Sequence, residues 1–360
     1  MKQYRTIGLM SGTSLDGVDI ACCLLKEEEG CWSYSIDCAE TIPYQAEWKE
    51  RLLAMPNASA MELAQSHAAF GHYLGILARN FSEKHMLVAD LVASHGHTIF
   101  HQPQNGFSFQ LGDGSAIAAE CGLPVVSDFR TLDIAFGGQG APLVPMGDQL
   151  LFSDYEQCLN IGGFANISFQ HNGHRLAFDV CPANIILNHL SEKLGLPFDK
   201  DGLIAASGNI NSSLLNKLNQ IGYYRLLPPK SLGREWVESI LLPVIDVNTI
   251  ALNDILCTVT EHIAIQLAKT INDNSGHQVL ITGGGALNIF LINRLKTYTN
   301  AQLIIPDPII VNYKEALVFA LLGVLRYRGE TNCLADVTGA SENVAGGGIF
   351  LPPTNKIKNP

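Results

Sequence analysis

One pattern occurs twice in this chain: an apolar strand, a glycine-rich turn, a returning strand and then a third strand. In the first half it is Thr6–Met10, the turn Ser11-Gly12-Thr13-Ser14-Leu15-Asp16-Gly17, Val18–Leu25 and Trp32–Ala39. In the second half it is Cys158–Ile161, the turn Gly162-Gly163-Phe164-Ala165, Asn166–Phe169 and Arg175–Asp179. A short-period solenoid repeats every few tens of residues, so a recurrence this widely spaced points instead to two similarly built α/β domains. The length of 360 residues agrees, because domains average roughly 150 residues.

Helical periodicity fills the space between strands. Apolar residues recur on one face from Ser59 to about Lys84 and, at three and four, through Ile255, Leu256, Val259, Ile263, Leu267 and Ile271. Leu87–Ala93 reads as a strand ending in the polar loop Ser94–Thr98, and Lys314–Arg328 as a helix opened by Glu315. The turn cluster Gly137-Gly138-Gln139-Gly140-Ala141-Pro142 marks a junction. The expected division is residues 1–135, with the 340–360 tail packing back on them, and residues 136–339.

Composition removes several function classes. Hydrophobic residues at 47% against 16% charged exclude a disordered chain. A net charge of -11 lacks the basic footprint of a nucleic-acid binder. Nine cysteines without a C-x-x-C pair lack the signature of a zinc ribbon, a redox dithiol or a clustered iron–sulfur site. The apolar run Ala316–Leu325 is about half a membrane span. With no leader pattern at Met1–Arg5, the expectation is a soluble cytoplasmic protein with no membrane partner.

Three glycine-rich turns carry candidate chemistry. The turn Gly12–Gly17 lies between antiparallel strands and lacks G-K-[ST], so it is not a Walker A loop. Its N–H groups and the Thr13 and Ser14 hydroxyls suit phosphate oxygens; an ordinary hairpin is the competing reading. Gly162–Gly163 offers a second set of donors, and Gly283-Gly284-Gly285 follows a strand and opens a helix, as an adenosine-packing loop would. Each also reads as a turn that merely needs small residues. Asp179 reads as a carboxylate at a strand end or as a helix N-terminal Asp. Arg130 reads as a clamp for a carboxylate or phosphate, or as a partner of Asp128 or Asp133. His95, His97 and His101 have spacings that occur in zinc sites, though a polar-loop role is equally open.

These residues stand in motifs that resemble the anhydro-N-acetylmuramic acid kinase family over essentially the whole chain. The stretches are Gly8–Asp19, Ser94–Thr98, Asp128–Arg130, Gly137–Pro145, Asn160–Ser168, Phe178–Asn184, Gly283–Asn288, Glu315–Ala316 and Gly346–Pro352. Two departures are His97, where the family often has Gln, and Cys181, where many relatives have Gly.

The resemblance implies two actin-like (ribonuclease H-like) α/β domains flanking an interdomain nucleotide and substrate cleft. It implies ATP-dependent hydrolytic opening of 1,6-anhydro-N-acetylmuramate with phosphorylation at O6, in peptidoglycan recycling. Asp179 would be the base. Gly12, Thr13, Ser14, Leu15, Asp16, Gly17, Val18, Asp19, Gly162, Gly163, Gly283, Gly284 and Gly285 would hold ATP. Asp16 would join the water shell of Mg²⁺, and His97, Arg130 and Glu315 would hold the sugar. A homodimer is compatible with this reading. The alternatives are a kinase for a plain sugar hydroxyl and a non-catalytic actin- or Hsp70-like ATP switch.

Overall fold

The structure, a computed structural model, describes residues 2–12, 15–228, 230–245, 249–274 and 277–353. The first sheet begins with the meander β1 (Lys2–Ser11), β2 (Gly17–Glu28) and β3 (Cys31–Pro43). It continues with β4 (Leu91–Gln102), β5 (Phe107–Leu111) and β6 (Val125–Ser127). The second contains β7 (Gln157–Ile161), β8 (Phe164–His171), β9 (His174–Pro182), β10 (Gln278–Thr282) and β11 (Gln302–Ile304). A last strand, β12 (Gly348–Phe350), pairs antiparallel with β6.

The two sheets share one topology. Their orders are β3-β2-β1-β4-β6 and β9-β8-β7-β10-β11. In each, the first three strands are antiparallel and the last two run parallel to the first. This is the actin-like α/β arrangement, present twice; β5 and β12 are additions to the first sheet.

Contacts divide the chain into Met1–Phe152 with Tyr313–Pro360, and Ser153–Asn312. The expected boundaries differ: 136–152 and 313–339 belong with the first unit. The cause is the helix Pro308–Tyr327. A Cβ on Gly8 would lie 1.9 Å from the Ala316 carbonyl oxygen, and one on Gly323 would lie 2.5 Å from the Ala93 Cβ. These glycines let helix and sheet backbones touch. Lys314 and Asp148, both buried, pair at 2.6 Å on the same side of the boundary.

That helix is also longer than the sequence pattern indicated, starting two turns before Glu315. It has 20 residues and mean hydropathy 1.6, enough by length and composition to cross a membrane, but 72% of its apolar window is buried inside the protein. The opposite face of the first sheet is covered by Ala60–Lys84, whose Phe70, Leu74 and Phe81 pack with Ile7 and Leu9. Its start is fixed by reciprocal bonds between Ser59 and Glu62, which satisfy orphan N–H groups. In the second unit the helix Leu252–Asp273 buries all six residues of its apolar series, none more than 2% exposed.

Replacing Gly8 by Val should lower stability by about 1–3 kcal/mol or more, because backbone rather than a mobile side chain occupies the space. Urea unfolding checks this, with Gly222→Val as the control, since nothing lies within 4 Å of its Cβ position.

Candidate active site

The carboxyl ends of β1, β4 and β6 lie side by side, where open α/β sheets present their ligand sites. The β1–β2 turn sits there. Leu15, at φ +58°, donates its N–H to the Gly12 carbonyl at 3.3 Å. A bulky residue in the left-handed region is strained, and such strain concentrates at functional turns. Gly17 answers to packing: its Cβ would lie 2.3 Å from the Ile42 carbonyl oxygen. Val18 is fully buried in the core, so its side chain is not a ligand contact as expected, whereas Asp16 is exposed. Thr13 and Ser14 lie outside the described residues.

The stretch Ser94–Thr98 was expected as a loop; it lies inside β4, which runs on to Gln102 through a bulge opposite β1. His97 Nδ1 bonds Ser11 Oγ at 2.8 Å, and Ser11 Oγ bonds the Tyr44 hydroxyl at 2.5 Å. Burial pushes His97 down to about 4, so the ring is neutral. His95 bonds Arg130 and the Gly96 carbonyl, and His101 bonds Ser108. The three rings thus have separate partners, and among the described residues no group of three His, Cys, Asp or Glu is placed to hold a metal.

Asp19 Oδ1 accepts from Thr41 Oγ1 at 2.6 Å, and burial raises its carboxyl above the usual range. Glu315 is raised too, first by burial and then by the charge of Asp19, against the opposing pull of Arg130. It lies within the helix, so its expected place in the first turn is corrected. Arg130 pairs with neither Asp128 nor Asp133 among the described residues; its partners are His95 and the Gly140 carbonyl. Burial lowers its pKa to about 10, and it remains charged at neutral pH.

In the second unit, β7 and β10 end together, with Thr282 opposite Asn160. Gly162 spends its N–H on the Phe164 carbonyl, while the Gly162 and Gly163 carbonyls accept from the amides of Ala183, Asn184 and Ile185. Among the described residues, then, the Gly163 N–H is the one of the pair without a backbone partner, where two donors are expected from the sequence. Its Cβ position is open, the nearest atom being 3.9 Å away. Of the three later glycines, Gly283 (φ +81°) and Gly285 are demanded by contact with Ile161, whereas a Cβ at Gly284 would meet only Asn184 Nδ2, at 3.7 Å.

Asp179 is not at a strand end; β9 continues to Pro182 and the next helix begins at Asn184. It lies at a bulge, because Ala165 faces Cys181 while Asn166 faces Asp179, leaving Val180 unpaired. Its N–H donates to the Lys230 carbonyl at 3.2 Å, and its carbonyl accepts from the Tyr223 hydroxyl at 2.7 Å. Its Oδ2 accepts from the Leu232 amide at 2.9 Å. Oδ1 has no partner among the described residues. Burial raises the carboxyl, opposed by the Leu232 bond. Sequence reasoning missed this support, since Tyr223 and Leu232 lie 44 and 53 positions from Asp179.

With this geometry in place, a family model described as anhydro-N-acetylmuramic acid kinase matches residues 4–352. The chain belongs to this family. A protein named anhydro-N-acetylmuramic acid kinase from Vibrio cholerae serotype O1 is 34% identical over 370 residues, covering 96% of this chain and 98% of its own. One of that name from Synechococcus elongatus is 36% identical over 380 residues, covering 96% and 99%. Solved structures resemble the chain loosely. The activator of 2-hydroxyisocaproyl-CoA dehydratase from Clostridium difficile has TM-score 0.45 at 16% identity, covering 89% of this chain and 94% of that one.

Within the anhydro-N-acetylmuramic acid kinase family, then, the two glycine-rich turns of the second unit have three positions where a Cβ meets only ordinary van der Waals contacts: Gly162, Gly163 and Gly284. Valine at Gly163 or Gly284 should weaken ATP by roughly tenfold or more, the value of one charge-assisted hydrogen bond, with the unfolding midpoint maintained. Gly285→Val should instead unfold the protein, its Cβ lying 2.2 Å from Ile161 Cγ2. Calorimetric ATP titration beside thermal melting checks both; unchanged affinity would make these turns ordinary.

Proposed function

We propose that this chain is an ATP-dependent kinase of 1,6-anhydro-N-acetylmuramate that opens the anhydro bridge with water and phosphorylates O6. Family membership supports the reaction class. The observation that carries the chemistry is Asp179, with one carboxylate oxygen held by an amide and the other without a partner among the described residues, in a partly buried setting. An anhydro sugar has no hydroxyl at O6, so a kinase base has no proton to remove there. Asp179 instead takes the proton of a water whose oxygen bonds to C1. The C1–O6 bond breaks, O6 takes the γ-phosphoryl group, and ADP leaves. This is the base half of an inverting glycosidase, with phosphoryl transfer replacing the general acid.

The Gly163 N–H and the Gly12–Gly17 turn supply phosphate donors, with Gly284 for close nucleotide approach. Glu315, His97 and Arg130 hold the sugar. Mg²⁺ neutralises phosphate charge when bound; it usually keeps several waters and takes one or two carboxylates beside the phosphates. Exposed Asp16 and half-buried Asp19 fit that need, and Asp16 is the one proposed for the water shell. A cytoplasmic setting, where ATP and recycled wall sugars meet, follows from the same reading.

Asp179→Asn should cut kcat by about 10²–10⁴-fold, the usual worth of a general base, with ATP affinity kept. The wild-type kcat should fall on acidification through a pKa above that of a free Asp, and the variant should lose that limb. The same shift has a sign for stability. A carboxyl raised on folding stabilises the fold below its unfolded pKa, and that contribution is lost as pH rises through the folded value. At neutral pH the ionised carboxylate therefore costs stability, so the Asn variant should melt no lower than wild type. Near-wild-type kcat in the folded variant removes Asp179 from the role.

Turnover in ¹⁸O-water should put label at the anomeric carbon and none in the phosphoryl group, giving a single initial anomer. Mass analysis must be early, since reducing sugars exchange that oxygen with solvent. Label in the phosphoryl group, or ring opening without ATP, defeats the mechanism.

A further inference from the structure

Arg130 has an unusual set of partners. Its Nε and Nη2 donate to His95 Nε2 at 3.2 and 2.8 Å, and its Nη1 donates to the Gly140 carbonyl at 2.6 Å. All these acceptors are neutral, and among the described residues no carboxylate forms an ion pair with it. His95 is 4% exposed and its ring packs on Phe319 with centroids 4.6 Å apart. Its Nδ1 bonds the Gly96 carbonyl at 3.0 Å. A carbonyl only accepts, so Nδ1 carries the proton and Nε2 offers its lone pair to the guanidinium.

The other acceptor is fixed from below. Asp133, fully buried, takes the Gly140 N–H on Oδ2 at 2.7 Å, and on Oδ1 the Thr338 hydroxyl at 2.7 Å and the Cys333 thiol at 3.1 Å. Its carbonyl accepts from Gly138 at 2.9 Å, and a Cβ on Gly138 would strike Oδ2 at 2.2 Å. The carboxylate three residues from Arg130 is thus committed to shaping the Gly138–Gly140 turn.

A partly buried guanidinium with no carboxylate in direct contact carries a desolvation cost that the more distant Glu315 and Asp133 charges offset only in part. Of its five N–H donors, three are engaged, leaving one on each terminal nitrogen. A pair of N–H groups suits the two oxygens of a carboxylate or phosphoryl group. We propose that His95 and Asp133 are positioning residues that hold Arg130, with Glu315 nearby but no carboxylate in ion-pair contact among the described residues, for an oxyanion of the reactants. This rests on the reading of Arg130 as a reactant-binding residue. The oxyanion has two sources, the carboxylate of the acid sugar and the transferred phosphoryl group.

The test is calorimetric affinity of His95→Glu, His95→Gln and Asp133→Asn for three probes. These are 1,6-anhydro-N-acetylmuramate, 1,6-anhydro-N-acetylglucosamine (the same ring without the carboxylate) and ATP. Glu places a carboxylate in direct contact with the guanidinium, so H95E should weaken binding of one anionic probe by about tenfold or more, the loss of a charge-assisted contact. The uncharged sugar should change by less than about twofold. Gln retains an acceptor and should restore most of the anion affinity, while D133N should show a smaller loss of the same selectivity. Loss on the acid sugar identifies the carboxylate, and loss on ATP the phosphoryl group. Wild-type affinities throughout in H95E, or equal losses on all three probes, overturn the proposal. If the wild type turns over neither sugar, the proposed function fails while the affinity ratios still decide this assignment.

Discussion

The carbonyl of Ala316 occupies the space that a side chain at residue 8 would fill. That backbone-to-backbone approach holds the long C-terminal helix against β1, and much of the first unit follows from it. It brings residues 313 to 353 back to the sheet that the first 43 residues begin. There β12 pairs with β6, and Asn332 bonds both N–H and carbonyl of Gly346. It also sets Glu315 among the charges of Asp19 and Arg130. A larger residue at 8 would lift the helix and shift that carboxyl with it.

Charged groups of the candidate site are poorly solvated in each unit, Asp19, Glu315 and Arg130 in the first and Asp179 in the second. Burial raises Asp19, Glu315 and Asp179 and lowers Arg130. Elsewhere buried charge is matched: Glu261 takes both Arg294 Nε and Nη2, and Lys314 meets Asp148. The contrast separates structural ion pairs, where partner and geometry are complete, from groups that have no ion-pair partner among the described residues. Perturbed titration of this kind, in each unit by itself, makes a group a functional-site candidate. The stability forgone there is the usual counterpart of a preorganised site.

The two glycine-rich hairpins were legible in the sequence as turns, but the reason for each glycine was not. Gly17, Gly283 and Gly285 answer to neighbouring backbone and Ile161; at Gly163 and Gly284 a Cβ would meet only ordinary van der Waals contact. The strained left-handed residue of the first turn is Leu15, which no turn rule would select. The support of Asp179 by Leu232, and of Arg130 by His95 and Gly140, joins residues up to 53 positions apart. Sequence-local reasoning has no access to such pairs.

What the sequence alone determined is the repeated strand–turn–strand–strand order, the helical faces and the motif set that resembles the family. These depend on local periodicity and on residue types that only certain turns accept. The placement of 313–339 with the first unit, the extension of β4 through Ser94–Thr98, the bulge beside Asp179 and the neutral partners of Arg130 were decided by tertiary structure. The physical reason is common to all four. Each depends on which backbone groups meet across the sheet or against a helix, and a hydrogen bond or a steric contact formed in three dimensions leaves no periodic mark along the chain.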